Sequence, residues 1–143
     1  QNFLKTEKNL LGFDTSALIN AEFEIQKYIQ RIENTNLYFS DGTKFREGQE
    51  ITFQSLLKDI EQLLIFSQAL DKAVHILIIG DTDGRGSKIH NQELSQQRAE
   101  FVSNLIHKNG IEKDILITTL PTVIRFGENK PHPHHRKVHF QLK

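Results

Sequence analysis

The feature that most constrains this chain is a short apolar run followed at once by a glycine-rich turn. Val74-His75-Ile76-Leu77-Ile78-Ile79 leads into Gly80-Asp81-Thr82-Asp83-Gly84-Arg85-Gly86. A run so rich in β-branched side chains predicts a central strand covered on both sides. Behind the turn, from Ser87 or Asn91 to Lys108, the residues Leu94, Phe101, Val102 and Leu105 recur at helical spacing. Asn109-Gly110 supplies a left-handed stop. Strand, turn and amphipathic helix in this order commit the chain to an α/β architecture.

The other segments fill out that plan. Residues 1–12 are mixed and weakly patterned, as at the end of a linker. Asp14 or Ser16 caps a helix to about Asn34, with Leu18, Ala21, Ile25, Tyr28, Ile29 and Ile32 on one face. Leu37-Tyr38-Phe39 reads as a short buried strand ended by the turn Ser40-Asp41-Gly42-Thr43. A second helix spans about Glu50 to Leu70, with Phe53, Leu56, Leu57, Ile60, Leu63 and Leu64 inward. Ile115–Ile124 is strand material interrupted by Pro121, which a central strand would not tolerate. Lys137 to Leu142 alternates as a last strand.

The resulting order, α-β-α-β-α-β-β, predicts an α/β (α+β) sandwich with helices packed on one mixed sheet. Linker and helix are expected over 1–36 and the sheet-bearing domain over 37–143.

Composition removes several classes of function. Eighteen Lys and Arg balance eighteen Asp and Glu, so no electrostatic case exists for nucleic acid or a membrane surface as partner. No apolar run approaches the ~20 residues that span a bilayer. The chain has no cysteine, which excludes a disulfide framework, a thiolate metal site and Cys lipidation within it. It begins at Gln1 and has no methionine, so it reads as a mature or excised piece whose signal peptide or membrane anchor lay elsewhere.

A loop at the carboxyl end of a buried strand, opening a helix, is where open α/β sheets usually take ligands. Gly80, Gly84 and Gly86 let the backbone approach a ligand closely, and the helix N-terminus favours a carboxylate or phosphate. Arg98, about two turns into the helix, offers a planar fork suited to a carboxylate. Asp83 can accept hydrogen bonds from an ammonium group. Together they suit a zwitterion, the –NH3+ and –COO− of an amino acid. The competing structural reading pairs Asp83 with Arg98 in an ion pair that stitches loop to helix.

The sequence T-D-x-x-G, then Asn91, then L-S-x-x-R-A resembles the OmpA-like peptidoglycan-binding domains, which include Pal lipoproteins and the periplasmic part of MotB. Thr82, Asp83, Gly86, Asn91, Leu94, Ser95, Arg98 and Ala99 fall on the pattern. Leu37–Gly42, Phe126-Gly127-Glu128 with Pro131, and Arg136-Lys137-Val138 are similar to further stretches of it, so the likeness covers about Leu37 to Leu142. It implies non-covalent, non-catalytic binding of the diaminopimelate of a peptidoglycan stem peptide in the periplasm, with no cofactor or metal. Arg98 would take a carboxylate and Asp83 the amino group. The amides of the loop around Gly84 and Gly86, with the helix N-terminus, would hold the remaining carboxylate oxygens, and Thr82 is counted among the ligand-binding residues. Asn91, Asp41 and Arg136 would edge the pocket. Membrane attachment would come only through a segment absent from this chain; the first helix would dock on the domain or lead to such an anchor, with a homodimer through its apolar face as the alternative that the MotB likeness implies. The match departs from the family pattern at Asp81, where His or Tyr is usual, in the short segment between Pro131 and Arg136, at His135, in place of Asn, and at Lys137, in place of a second Arg.

Four alternatives read less well. Asp81-Thr82-Asp83-Gly84 resembles the nucleophile motif of haloacid-dehalogenase phosphatases, but the later acidic motif that chemistry needs is missing. A calcium loop counted from Asp81 fails at Arg85 and at Gln92, and no G-x-x-x-x-G-K-[ST] cradle is present. His132 and His134 can reach one metal ion, although the tract Pro131–His135 reads first as a solvated loop. A domain that kept this fold as a protein-interaction module is the remaining possibility.

Overall fold

The computed structural model describes residues 14–111, 115–122 and 125–143. The linker expected over residues 1–12 lies outside them. The elements are α1 (Asp14–Glu33), β1 (Asn36–Asp41), β2 (Lys44–Phe45), α2 (Gln49–Ala69), β3 (Val74–Gly80), α3 (Lys88–Lys108), β4 (Ile115–Pro121), a 3-10 turn (Pro133–His135) and β5 (Lys137–Leu142). The α/β class, the mixed sheet and the preceding helix are as expected.

Five strands lie in the order β2-β1-β5-β3-β4. β3 and β4 run parallel, whereas β5 is antiparallel to both β3 and β1. The final strand therefore inserts between the first hairpin and the parallel pair. Pro121 falls where its missing N–H costs least, at the end of the edge strand β4, opposite Gly80. The two-residue strand β2 had no sequence signal: Lys44-Phe45 is too short to show an alternation.

Register assigns the faces. Val74, Ile76 and Ile78 of β3 share a side with Leu37 and Phe39 of β1 and with Val138 and Phe140 of β5. All seven are in the core, with Ile25 and Ile32 of α1, Phe53, Leu56, Ile60 and Leu63 of α2, and Ala99, Val102 and Ile106 of α3. All three helices thus cover one side of the sheet. The other face of β3 carries Leu77, buried, with His75 and Ile79 partly buried, so β3 is shielded along its whole length. The neighbouring β4 exposes Leu116 and Leu120 on that side. His75 Nε2 lies 2.8 Å from Thr118 Oγ1 there.

Helix ends follow local chemistry. Ser87 caps α3, its Oγ accepting from the His90 amide at 3.0 Å. Gly110, at φ +93°, provides the left-handed stop. Gly80 sits where β3 meets α3 so closely that a Cβ there would lie 1.8 Å from the Ser95 carbonyl oxygen. That contact fixes the distance between the strand end and the helix, and hence the position of everything the turn carries.

Candidate functional site

The turn after β3 is built inward. Asp81, Thr82 and Asp83 are all buried. The Asp81 amide donates to the Lys137 carbonyl at 2.8 Å and so extends the β3–β5 pairing by one residue. Thr82 Oγ1 donates to Asn91 Oδ1 at 2.6 Å. Asn91 Nδ2 in turn donates to the carbonyls of Arg85 and Ser87 at 2.9 and 2.7 Å. Both amide protons and the oxygen of this 1% exposed side chain are thereby committed to shaping the loop. The loop's outer edge is pinned by a second segment: Gly127 and Glu128 donate their amides to the carbonyls of Gly86 and Gly84 at 2.7 and 3.1 Å.

Arg98 lies ten residues past the first residue of α3, nearly three turns in because the helix starts at Lys88. It is 2% exposed, and its guanidinium lies over the Phe39 ring at 5.3 Å. Nε donates to the Gly42 carbonyl at 2.7 Å and Nη1 to the Asp81 carbonyl at 2.9 Å. Among the described residues Nη2 has no hydrogen-bond partner. Desolvation pushes the Arg98 pKa down to about 10, partly offset by the fields of Asp83, Asp41 and Asp81. It is still a cation at neutral pH.

Asp83 does not pair with Arg98, contrary to the stitching reading. Its Oδ2 accepts from Arg136 Nε at 3.0 Å and from Arg85 Nε at 2.9 Å, and its Oδ1 from the Arg85 amide at 3.1 Å. Burial opposes ionisation of Asp83, but the Arg85 amide and the two guanidiniums outweigh it and hold the carboxyl below its ordinary range. Arg136 also donates from Nη1 to the Ser40 carbonyl at 3.1 Å. It therefore joins the end of β1 to the loop from the start of β5. Asp41 is exposed at the mouth, its Oδ1 accepting from the Gly42 amide.

The structure thus brings Asp83, Arg98, Thr82, Gly84, Gly86, Asn91, Asp41 and Arg136 to one end of the sheet. Sequence reasoning missed Arg85 as a partner of Asp83. Its place two residues beyond Asp83, between two glycines, was the available signal. It also missed Arg125 and Glu128, which contact each other at 3.7 Å beside Gly84.

Two of the departures from the family pattern face each other: His135 Nδ1 stands 3.5 Å from Asp81 Oδ2. Burial and the neighbouring Arg125 and His134 lower the His135 pKa despite that carboxylate. His132, His134 and His135 hold their rings within 6.2 Å of one another, and His132 Nε2 reaches Glu128 Oε1 at 3.0 Å. Among the described residues no group of three His, Asp or Glu is placed to hold a metal ion.

This geometry is a polar, charge-lined site on an OmpA-like frame. The OmpA family model matches residues 46–138, and the chain belongs to that family. It is 29% identical over 89 residues to outer membrane protein A of Buchnera aphidicola subsp. Schizaphis graminum, and 28% identical over 88 residues to outer membrane porin F of Pseudomonas fluorescens. Each match takes in 62% of this chain but only 24% and 25% of the relative, so the chain spans about a quarter of their length. Among solved structures it is similar in fold to the peptidoglycan-associated lipoprotein of Burkholderia pseudomallei, with TM-score 0.54 and 23% identity, covering 77% of this chain and 91% of that one. The C-terminal domain of Helicobacter pylori MotB (residues 125–256) follows at 0.50 and 18%, covering 75% and 83%.

Proposed function

We propose that this domain binds peptidoglycan non-covalently, without catalysis, and so anchors an envelope protein to the cell wall from the periplasm. The ligand is the diaminopimelate of the stem peptide. The observation that carries the reading is the buried guanidinium of Arg98, positioned by two backbone carbonyls and left with donors to spare next to Asp83. A guanidinium has five N–H donors, and two are used here. A ligand carboxylate takes those remaining on the Nη side, Asp83 takes the ammonium, and the Gly84 and Gly86 amides, with Thr82, border the carboxylate. Asp41 and Arg136 line the rim, and Asn91 sets the loop's shape. The name of the Burkholderia neighbour, a peptidoglycan-associated lipoprotein, supports peptidoglycan as the partner in general. No cofactor or metal enters this reading. Attachment to a membrane belongs to a segment outside this chain, and the outward face of α1 pairs two copies of the domain.

A single polar site exchanging its contacts with water binds weakly, and tethering supplies the avidity. The test is an NMR titration of the domain with a soluble diaminopimelate-containing muropeptide, repeated on Asp83→Ala and Arg98→Ala. Shifts across Thr82 to Asn91 are expected in the wild type and absent in both variants, each checked for an intact fold. A wild-type domain that shows no shifts would overturn the reading in favour of an OmpA-like scaffold that binds protein instead.

A further inference from the structure

We propose that Arg85 is a built-in competitor for the ligand's ammonium at Asp83, and so a specificity-determining residue of the site. This inference rests on the reading of Asp83 as the ammonium acceptor. Two cations already occupy that carboxylate, and they are not equivalent. Arg136 is held by a second bond to the Ser40 carbonyl, and its side chain is 16% exposed. Arg85 is 45% exposed, and among the described residues its guanidinium bonds to nothing but Asp83. Arg136 is therefore part of the frame, whereas Arg85 is a detachable cap on the solvent side of the carboxylate.

The backbone explains why Arg85 folds back. Gly84 and Gly86 flank it at φ +88° and +86°, values that side-chain-bearing residues rarely adopt. Between them, both the amide and the side chain of residue 85 turn onto the carboxylate of residue 83. The amide contact to Oδ1 survives if the side chain swings away. A guanidinium on a three-carbon stem thus mimics an incoming ammonium without closing the site permanently.

Electrostatics reinforces the competition. Arg85, Arg98 and Arg136 gather around Asp83, so a fourth cation enters unfavourably until one of them leaves. Arg85 is the one that can regain full hydration. A ligand with a free ammonium replaces it charge for charge; one with that amine blocked leaves the Asp83–Arg85 pair shut. Competition therefore lowers affinity and blunts the preference for a free amine.

The test is calorimetric titration of wild type, Arg85→Ala and Asp83→Asn with a synthetic diaminopimelate-containing tripeptide, and with the same peptide acetylated on its free amino group. Exposed ion pairs of this kind convert to about a three- to fivefold effect. Arg85→Ala is expected to bind the free-amine peptide about that much more tightly and to widen its preference over the acetylated form. The 15Nε–1Hε NMR signal of Arg85 should move to a solvent-exposed position on saturation while that of Arg136 stays. Equal or weaker binding by Arg85→Ala, or an unmoved Arg85 signal during binding, would overturn the proposal. If folded wild type and Arg85→Ala both fail to bind either peptide, the peptidoglycan reading itself falls, and the competitor role with it.

Discussion

Gly80 shows how one residue can set a site it does not touch. Its backbone angle is ordinary, so conformational freedom is not why glycine is needed there; space is. An added Cβ would meet the backbone of Ser95 at 1.8 Å, and a helix backbone cannot swing aside as a side-chain tip can. Gly80→Ala must push α3 from β3, disturbing Ala99 and Val102 below and Arg98 beside them. We expect a loss of about 3 kcal/mol, at the upper end of overpacking costs. Gly110→Ala is the control: its φ is +93° but nothing among the described residues lies within 4 Å of an added Cβ, so only the left-handed penalty of roughly 1–2 kcal/mol applies. Urea unfolding of both variants checks this, and equal losses would mean that the strand–helix contact yields more easily than its geometry implies. At this scale the sequence displayed the residue types well. Asp83, Arg98 and Asn91 stood out by type and spacing, but not the partners each would take. Arg98 donates to Gly42, 56 positions away, and Asp83 accepts from Arg136, 53 positions away. No local pattern encodes such pairs.

At the scale of elements, legibility followed periodicity. α2 and α3 bury one stripe, α3 also begins and ends at strong local signals, and β5 alternates, so all three lie close to where their patterns put them. The β2 strand is too short to carry a period. Apolar content at nearly every position of β3 matches its shielding along the whole strand but does not say what lies on each side. Helix α1 shows the same ambiguity usefully. Ala21, Ile25 and Ile32 face the domain, yet Ile19 and Phe23, one turn apart, are 54% and 71% exposed. Two such side chains on a helix already docked by its other face have no partner within the described residues, and a second α1 offers a matching stripe. Phe23→Glu is therefore expected to convert a dimer into a monomer in sedimentation analysis while leaving the melting temperature of the fold little changed. A wild-type domain that sediments as a monomer at high concentration would remove the proposed pairing.

For the whole molecule, the even balance of eighteen basic and eighteen acidic residues hides an uneven placement. The end of the sheet that carries the turn gathers Arg85, Arg98, Arg125, Arg136 and three histidines around Asp81, Asp83 and Glu128. His139 of β5, whose Nδ1 is buried without a partner among the described residues, feels the field of Asp81 at the same end. Burial and Lys137 lower its pKa below the ordinary 6.5, with Asp81 opposing, and His135 shifts the same way. The sign of the stability effect follows. As pH drops through 6.5 the unfolded chain takes up protons that the folded chain resists, so the contribution present above that value is lost as pH falls toward the folded values. The melting temperature should therefore decline between about pH 7.5 and about pH 5.5. His139→Gln, which cannot titrate, should flatten part of that decline. Asp83 acts lower on the scale: its depressed pKa stabilises the fold above its ordinary 3.8, and that stabilisation is lost below it. Asp83→Asn should thus leave the neutral-to-mildly-acid slope intact and soften only the loss at strongly acid pH. Thermal melts of the three proteins across pH separate the two effects, and a His139→Gln profile parallel to wild type would show that the histidine does not couple to folding.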